Sequence, residues 1–179
     1  GAGRIGKLHA ENLKNHPHVH IKAISDICTE ETTNWARSLG IKTVMDDYRG
    51  ILSDSEIDAV FICSSTNTHT QIIIDAAKAG KHIFCEKPIS FNIQDTAKAL
   101  EVVKAEGVKF QTGFNRRFDA NFKQAYDMVQ TDKIGNPHII KITSRDPEPP
   151  SADYIKVSGG IFIDMSIHDF DMARYLSGS

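Results

Sequence analysis

Gly1-Ala2-Gly3-Arg4-Ile5-Gly6 opens the sequence with three glycines in G-x-G-x-x-G spacing. Such glycines belong to the sharp turn between a buried β-strand and the helix it feeds. Gly1 permits the tight turn, Gly3 lets an anion approach the backbone, and Gly6 allows the helix to pack closely. Arg4 and Ile5 fall where the free amides of the first helical turn face that anion. The strand that should carry the turn is not among the 179 residues. The expectation is therefore a sheet whose first strand is missing, in a chain that reads as a fragment.

Working outward, the first half alternates strictly. Residues 6–15 read as a helix, 19–24 as a β-branched strand ending at Ser25-Asp26, and 29–39 as a helix. Thr29 is expected to cap that helix, with Glu30 and Glu31 in its first turn and Gly40 as its stop. A strand over 41–45 and a helical turn over 48–52 follow. The continuous apolar run 59–63 reads as a parallel strand buried on both faces. Helix 68–79, strand 82–85, helix 92–106 and strand 108–112 complete the series. The pattern predicts an α/β fold with a doubly wound parallel sheet of Rossmann type over residues 1–115.

After Gly113 the rhythm changes. A helix over 119–130, a strand over 138–143, the stiff Asp146-Pro147-Glu148-Pro149-Pro150 and an apolar helix over 161–176 are expected. One strand between two helices cannot bury a core. Residues 116–179 thus read as the beginning of a C-terminal α/β domain for substrate and oligomerisation, and the piece alone is expected to fold poorly.

Asp26 stands 20 residues beyond Gly6, at a strand end. A carboxylate there accepts hydrogen bonds from both ribose hydroxyls and repels a 2′-phosphate, and neither Ile27 nor Cys28 supplies a rescuing cation. The reading is a dinucleotide site that prefers NAD to NADP. Its bland alternative is a structural turn beside a solvated carboxylate. Ligands in such sheets lie beyond the strands' carboxyl ends, which brings in Ser64, Thr66 and Asn67 after one strand and Glu86-Lys87-Pro88 after the next. In isolation, Ser64 to Asn67 read more readily as a plain helix-capping loop. His69 either helps build the cofactor pocket or caps its helix.

Bulk properties exclude other classes. A net charge of −2 and a pI near 6.5 give no basic field for nucleic acid or anionic lipid. No apolar run approaches the roughly 20 residues of a membrane helix. Cys28, Cys63 and Cys85 lack CxxC spacing and read as small buried thiols in a reducing cytoplasm. His16, His18 and His20 alternate across a turn with no carboxylate or thiol placed to complete a metal site.

The stretches 1–6, 64–69, Glu86-Lys87-Pro88, 113–118 and 159–176 together resemble the glucose–fructose oxidoreductase, inositol dehydrogenase and MocA family of nicotinamide-dependent sugar and polyol dehydrogenases. Gly-Ala-Gly-Arg-Ile-Gly-Lys-Leu-His, Ser144-Arg145-Asp146-Pro147 and Asp164-Met165-Ser166-Ile167-His168-Asp169 are most similar to its inositol 2-dehydrogenases. The resemblance implies that Lys87, Asp164 and His168 line a substrate pocket. It also implies a homo-oligomeric parent protein, a dimer or tetramer. The residue types suit oxidation of a secondary alcohol, which needs a base for the hydroxyl proton while hydride leaves carbon. His168 suits the base, and Lys87 suits stabilisation of the developing alkoxide. Asp164, four residues before His168, would share its helix face. Arg116 is the favoured substrate contact, and Arg117 reads as an interdomain ion pair. The expected function is oxidation of an inositol ring hydroxyl with NAD. The alternatives are an aldose dehydrogenase and a non-catalytic NAD-sensing protein, which the fold does not separate.

Overall fold

The computed structural model describes residues 1–178. The chain divides into two compact units, residues 1–113 and 114–179.

The first unit alternates helix and strand. Its elements are α1 Arg4–Lys14, β1 Ala23–Ser25, α2 Thr29–Ser38, β2 Thr43–Met45 and α3 Arg49–Leu52. Then come β3 Ala59–Ile62, α4 Thr66–Lys78, β4 His82–Cys85, α5 Ile93–Glu106 and β5 Phe110–Thr112. All pairings are parallel, with Ala23 opposite Thr43, Ala59 opposite His82, and Ile83 opposite Phe110. The strands form two sheets, β1-β2 and β3-β4-β5, rather than the single sheet expected. No described strand pairs with both β1 and β3.

Ile62, Ile73, Ala76, Ala77, Ile83, Cys85, Ala99 and Val103 form the core between the three-stranded sheet, α4 and α5. Small alanines let the two helices lie close, and aliphatic burial at about 25 cal/mol per Å² holds them there. The expectation that the 59–63 run is buried on both faces is corrected at Phe61, which is 41% exposed. The adjacent β1-β2 sheet does not pair with β3, so that flank lacks a neighbouring strand. Phe61 instead stacks on Phe84 at 4.7 Å.

Two helix starts also differ. Thr29 is the first helical residue of α2; Cys28 occupies the cap position without a side-chain bond. Helix α4 begins at Thr66 rather than at 68, behind Ser65. Both ends of α5 follow the expected 92–106 bounds: Asn92 caps its start by accepting the Gln94 amide at 2.8 Å, and Gly107 ends the helix in a left-handed conformation at φ 67°.

In the second unit, a 3-10 turn over Asn115–Phe118 precedes α6 Ala120–Gln130, α7 Ala152–Val157, α8 Ile161–Asp164 and α9 Ser166–Ser177. Asp119 caps α6 by accepting the Asn121 amide at 2.9 Å. The strand expected over 138–143 is not formed. Strands require a partner for their amides, no described strand pairs there, and Ile139 is left 89% exposed. Helix α7 was not anticipated; Ser151, just past the prolines, accepts the Tyr154 amide and starts it. The long apolar helix is broken at Met165, whose φ of −104° departs from the helical value. Tyr126 of α6 and Tyr175 of α9 stack at 4.1 Å, and Met172 is buried beside them in α9. No described helix is long and apolar enough to cross a membrane.

Candidate functional site

The glycine turn sits at the carboxyl ends of β1 and β3, where a doubly wound sheet reverses its order. Each glycine there has its own physical reason. A Cβ on Gly1 would come within 2.6 Å of the Cys63 carbonyl oxygen and 2.8 Å of Ser64 Cα. A Cβ on Gly6 would collide with the Gly1 carbonyl oxygen. Gly1 and Gly6 therefore allow turn, strand end and α1 to close on one another. Around Gly3 nothing lies within 4 Å of the Cβ position. Gly3 leaves open the space that a side chain would fill, in front of the free amides of Arg4 and Ile5 at the start of α1. This cradle fits a dinucleotide pyrophosphate.

Asp26 Oδ2 accepts the Ala2 amide at 2.6 Å, and Oδ1 accepts the Cys28 amide at 2.8 Å. Burial raises the Asp26 carboxyl pKa, but the two backbone donors outweigh it, and the group stays below the ordinary value. A carboxylate offers about four acceptor sites, so each oxygen retains capacity for a ribose hydroxyl. Beside it lies a shallow depression lined by Ile27, Cys28, Thr29, Glu31 and Asn34, with the Ile27 side chain 91% exposed. Cys28 is thus at the surface, against the expectation of a buried thiol. Cys63 and Cys85 are the shielded pair, and burial pushes the Cys63 thiol up to about 11 and the Cys85 thiol higher still.

The loop after β3 is tied by short bonds. Ser64 Oγ and Thr68 Oγ1 share a hydrogen bond of 2.7 Å, and Thr66 and Asn67 lie in the first turn of α4 rather than in the loop. His69 is 2% exposed. Its Nδ1 lies 2.9 Å from the Pro88 carbonyl oxygen and its Nε2 lies 3.0 Å from that of Ser64. It therefore bridges the loops that follow β3 and β4, and does not cap its helix. The Lys87–Pro88 peptide is cis. Glu86 Oε2 accepts the Lys87 amide at 3.2 Å, and Glu86 Oε1 meets His9 Nε2 at 2.6 Å.

In the second unit, His168 and Asp164 flank the break at Met165. The His168 amide reaches the Met165 carbonyl at 3.2 Å, an i−3 bond. Asp164 ends α8 and His168 lies in α9, so the expected single helix face is interrupted. The Asp164 carboxylate accepts the Tyr154 hydroxyl at 2.7 Å. Tyr154 was missed in the sequence because α7 was missed. His168 packs edge-on to Phe114, with centroids 6.2 Å apart. Next to it, Asp169 Oδ1 accepts from Ser144 Oγ at 2.6 Å and from Arg116 Nη1 at 2.5 Å. Burial pushes the Asp169 carboxyl up, and these two donors more than reverse it, leaving its pKa lowered. Arg117 grips Asp171 through Nε at 2.9 Å and Nη2 at 2.7 Å. Its partner is within the same unit, which corrects the interdomain expectation.

Residues 1–114 match the model of the GFO/IDH/MocA oxidoreductase family, NAD-binding Rossmann fold, and residues 122–179 match a GFO/IDH/MocA C-terminal domain. The chain is 58% identical over its full length to YrbE, an uncharacterized oxidoreductase of Bacillus subtilis, and covers 52% of it. It is 51% identical over 178 residues to a myo-inositol 2-dehydrogenase of Thermotoga maritima, covering 99% of this chain and 53% of that one. Among solved structures, the scyllo-inositol dehydrogenase of Lactobacillus casei with bound NAD(H) and scyllo-inositol superposes with a TM-score of 0.87 at 37% identity. That match covers 99% of this chain and 54% of the other. The chain spans about half the length of the curated relatives it matches.

Proposed function

The chain belongs to the GFO/IDH/MocA oxidoreductase family, and from that premise we propose that the full-length protein is an NAD-dependent dehydrogenase of cyclic polyols, oxidising a ring hydroxyl of an inositol to the ketone. The observation that carries this reading is the 51% identity to a myo-inositol 2-dehydrogenase across 178 residues, with Lys87, Asp164 and His168 all present.

Gly1, Gly3, Gly6, Arg4 and Ile5 hold the pyrophosphate of the dinucleotide at the start of α1. Asp26 holds the adenosine ribose with its remaining lone pairs, and Ser64, Thr66, Asn67 and the backbone around Glu86 and Lys87 line the rest of the crevice. His69 contributes by holding two of these loops together. Bound NAD⁺ supplies the hydride acceptor.

An imidazole nitrogen of His168 takes the hydroxyl proton, a base role to which imidazole is suited. Lys87 Nζ donates to the reacting oxygen and stabilises negative charge as it develops there. Asp164, oriented by the Tyr154 hydroxyl, accepts from a neighbouring substrate hydroxyl. Arg116 has guanidinium donors beyond those given to Asp169 and Ser144, and offers them to the polyol.

The test is NAD⁺ reduction by the full-length protein with myo-inositol, scyllo-inositol and glucose, with H168A as control. Turnover of an inositol, lowered by about 100-fold or more in the variant, is the expected result. Turnover of glucose alone would reassign the substrate to sugars, and tight NAD binding without any turnover would make the protein a sensor.

A further inference from the structure

The region around Lys87 contains a connection that the hydride-transfer roles leave unused. His9 lies in the second turn of α1, the helix that the glycine turn opens. Its ring is fixed by two aromatic neighbours from paired strands, Phe84 at 5.0 Å edge-on and Phe61 at 5.9 Å. Phe61 and Phe84 are themselves direct partners in the β3-β4 ladder. In that orientation His9 Nε2 lies 2.6 Å from Glu86 Oε1. An ionised carboxylate only accepts, so Nε2 carries the proton and donates. Both groups are largely shielded from water, which strengthens a charge-assisted bond relative to a surface pair.

The second Glu86 oxygen turns to the chain itself, accepting the Lys87 amide at 3.2 Å. Gly113 leaves room for the carboxyl group, because a Cβ there would stand 3.0 Å from Oε1, Oε2 and Cδ. The Glu86 amide is anchored in turn to the Ile62 carbonyl at 2.9 Å, and that of Gly113 to Cys85 at 2.8 Å. A continuous run of short contacts thus leads from α1 through His9 and Glu86 to the backbone of Lys87.

We infer that His9 is a positioning residue for Lys87: through Glu86 it fixes the lysine's backbone relative to the helix that binds the dinucleotide. This rests on the proposed role of Lys87 in polyol oxidation. Misplacing a catalytic group by about 1 Å costs on the order of 100-fold in rate, so such a strut governs turnover more than binding.

Leucine at position 9 keeps apolar bulk against Phe61 and Phe84 and removes the donor. Glutamine keeps an N–H donor at similar reach. In the full-length protein, H9L is expected to lower kcat about tenfold or more while KM for inositol and NAD⁺ moves less than about threefold. H9Q is expected to recover most of the loss. E86Q is expected to fall similarly, and H9L with E86Q together no further than the worse single variant, because both act through one connection. Additive losses would overturn the inference. So would wild-type kcat in H9L, or an H9Q variant as impaired as H9L and equally unstable to urea.

A measurement without turnover separates this from the functional reading. The rate at which an acylating reagent modifies Lys87, read by peptide mass spectrometry, is expected to change in H9L and return in H9Q. An equal rate in wild type and H9L overturns the strut even where polyol oxidation is confirmed. A wild-type protein inactive on every polyol, with labelling still dependent on His9, overturns the functional reading alone.

Discussion

In the proposed function Asp26 carries two tasks on one carboxylate. It accepts the amides of Ala2 and Cys28, which ties the glycine turn to the end of β1, and its remaining lone pairs hold the dinucleotide ribose. Removing it should therefore weaken the cofactor by more than one hydrogen bond. Hydrogen bonds to a charged acceptor contribute about 1.5–3 kcal/mol each. Asp26→Ala is expected to raise the dissociation constant for NADH by about 10- to 100-fold, read by fluorescence titration. The same variant should narrow the preference over NADPH, since the negative charge that repels a 2′-phosphate is gone. A variant that loses both cofactors equally would confine Asp26 to holding the turn. The residue's type and place were legible because the fingerprint and a strand-end acid are defined by spacing. The Ala2 and Cys28 bonds were not, because they follow from how the turn lies against β1.

Among the elements, α1 shows most clearly what a pattern of glycines does and does not say. The sequence reading assigns Gly6 to close packing, and the structure supplies the collision partner, the carbonyl of Gly1. That partner is backbone and cannot rotate away. Gly6→Ala is expected to destabilise the protein by about 1–3 kcal/mol, as other overpacking substitutions do. Gly3→Ala meets open space and has an ordinary backbone conformation, φ −66°. Its stability cost should stay below about 1 kcal/mol, the scale of a lost helix cap, while NADH binding suffers because the new methyl fills the cradle. Urea midpoints and NADH titrations on the pair check this; equal stability losses would remove the distinction. Elsewhere the elements were legible where periodicity was long, as in α5 and α6, and illegible where neighbours decide. The 138–143 segment is rich in strand formers, yet a strand is a relation between two chains' backbones, and no partner is described for it. The break at Met165 is likewise invisible to helix periodicity, although it separates Asp164 from the helix that bears His168.

Across the molecule, Asp26, Asp54 and Asp169 are each held below the ordinary carboxyl pKa. Burial opposes ionisation of Asp169 and Asp26, and the donors from Ser144 and Arg116, or from Ala2 and Cys28, prevail. Asp54 is lowered by Lys22 and by the Glu56 amide. A carboxyl held below its unfolded value binds fewer protons folded than unfolded. Its stabilisation is complete above the unfolded pKa of about 4 and is lost as pH falls through the folded value. Both units should therefore hold their stability from neutral pH down to about pH 5 and lose it progressively below about 4. Hydrogen exchange of the full-length protein, corrected for intrinsic rates, resolves this helix by helix. Protection of α9 should fall on acidification, since Asp169 ties that helix to Arg116 and Ser144. Asp169→Asn removes the titrating charge, so its α9 should be less protected at pH 7 and less sensitive to acid. An unchanged acid slope in that variant would show that α9 is held by its apolar contacts, Met172 and the Tyr126–Tyr175 stack, rather than by the ion pair.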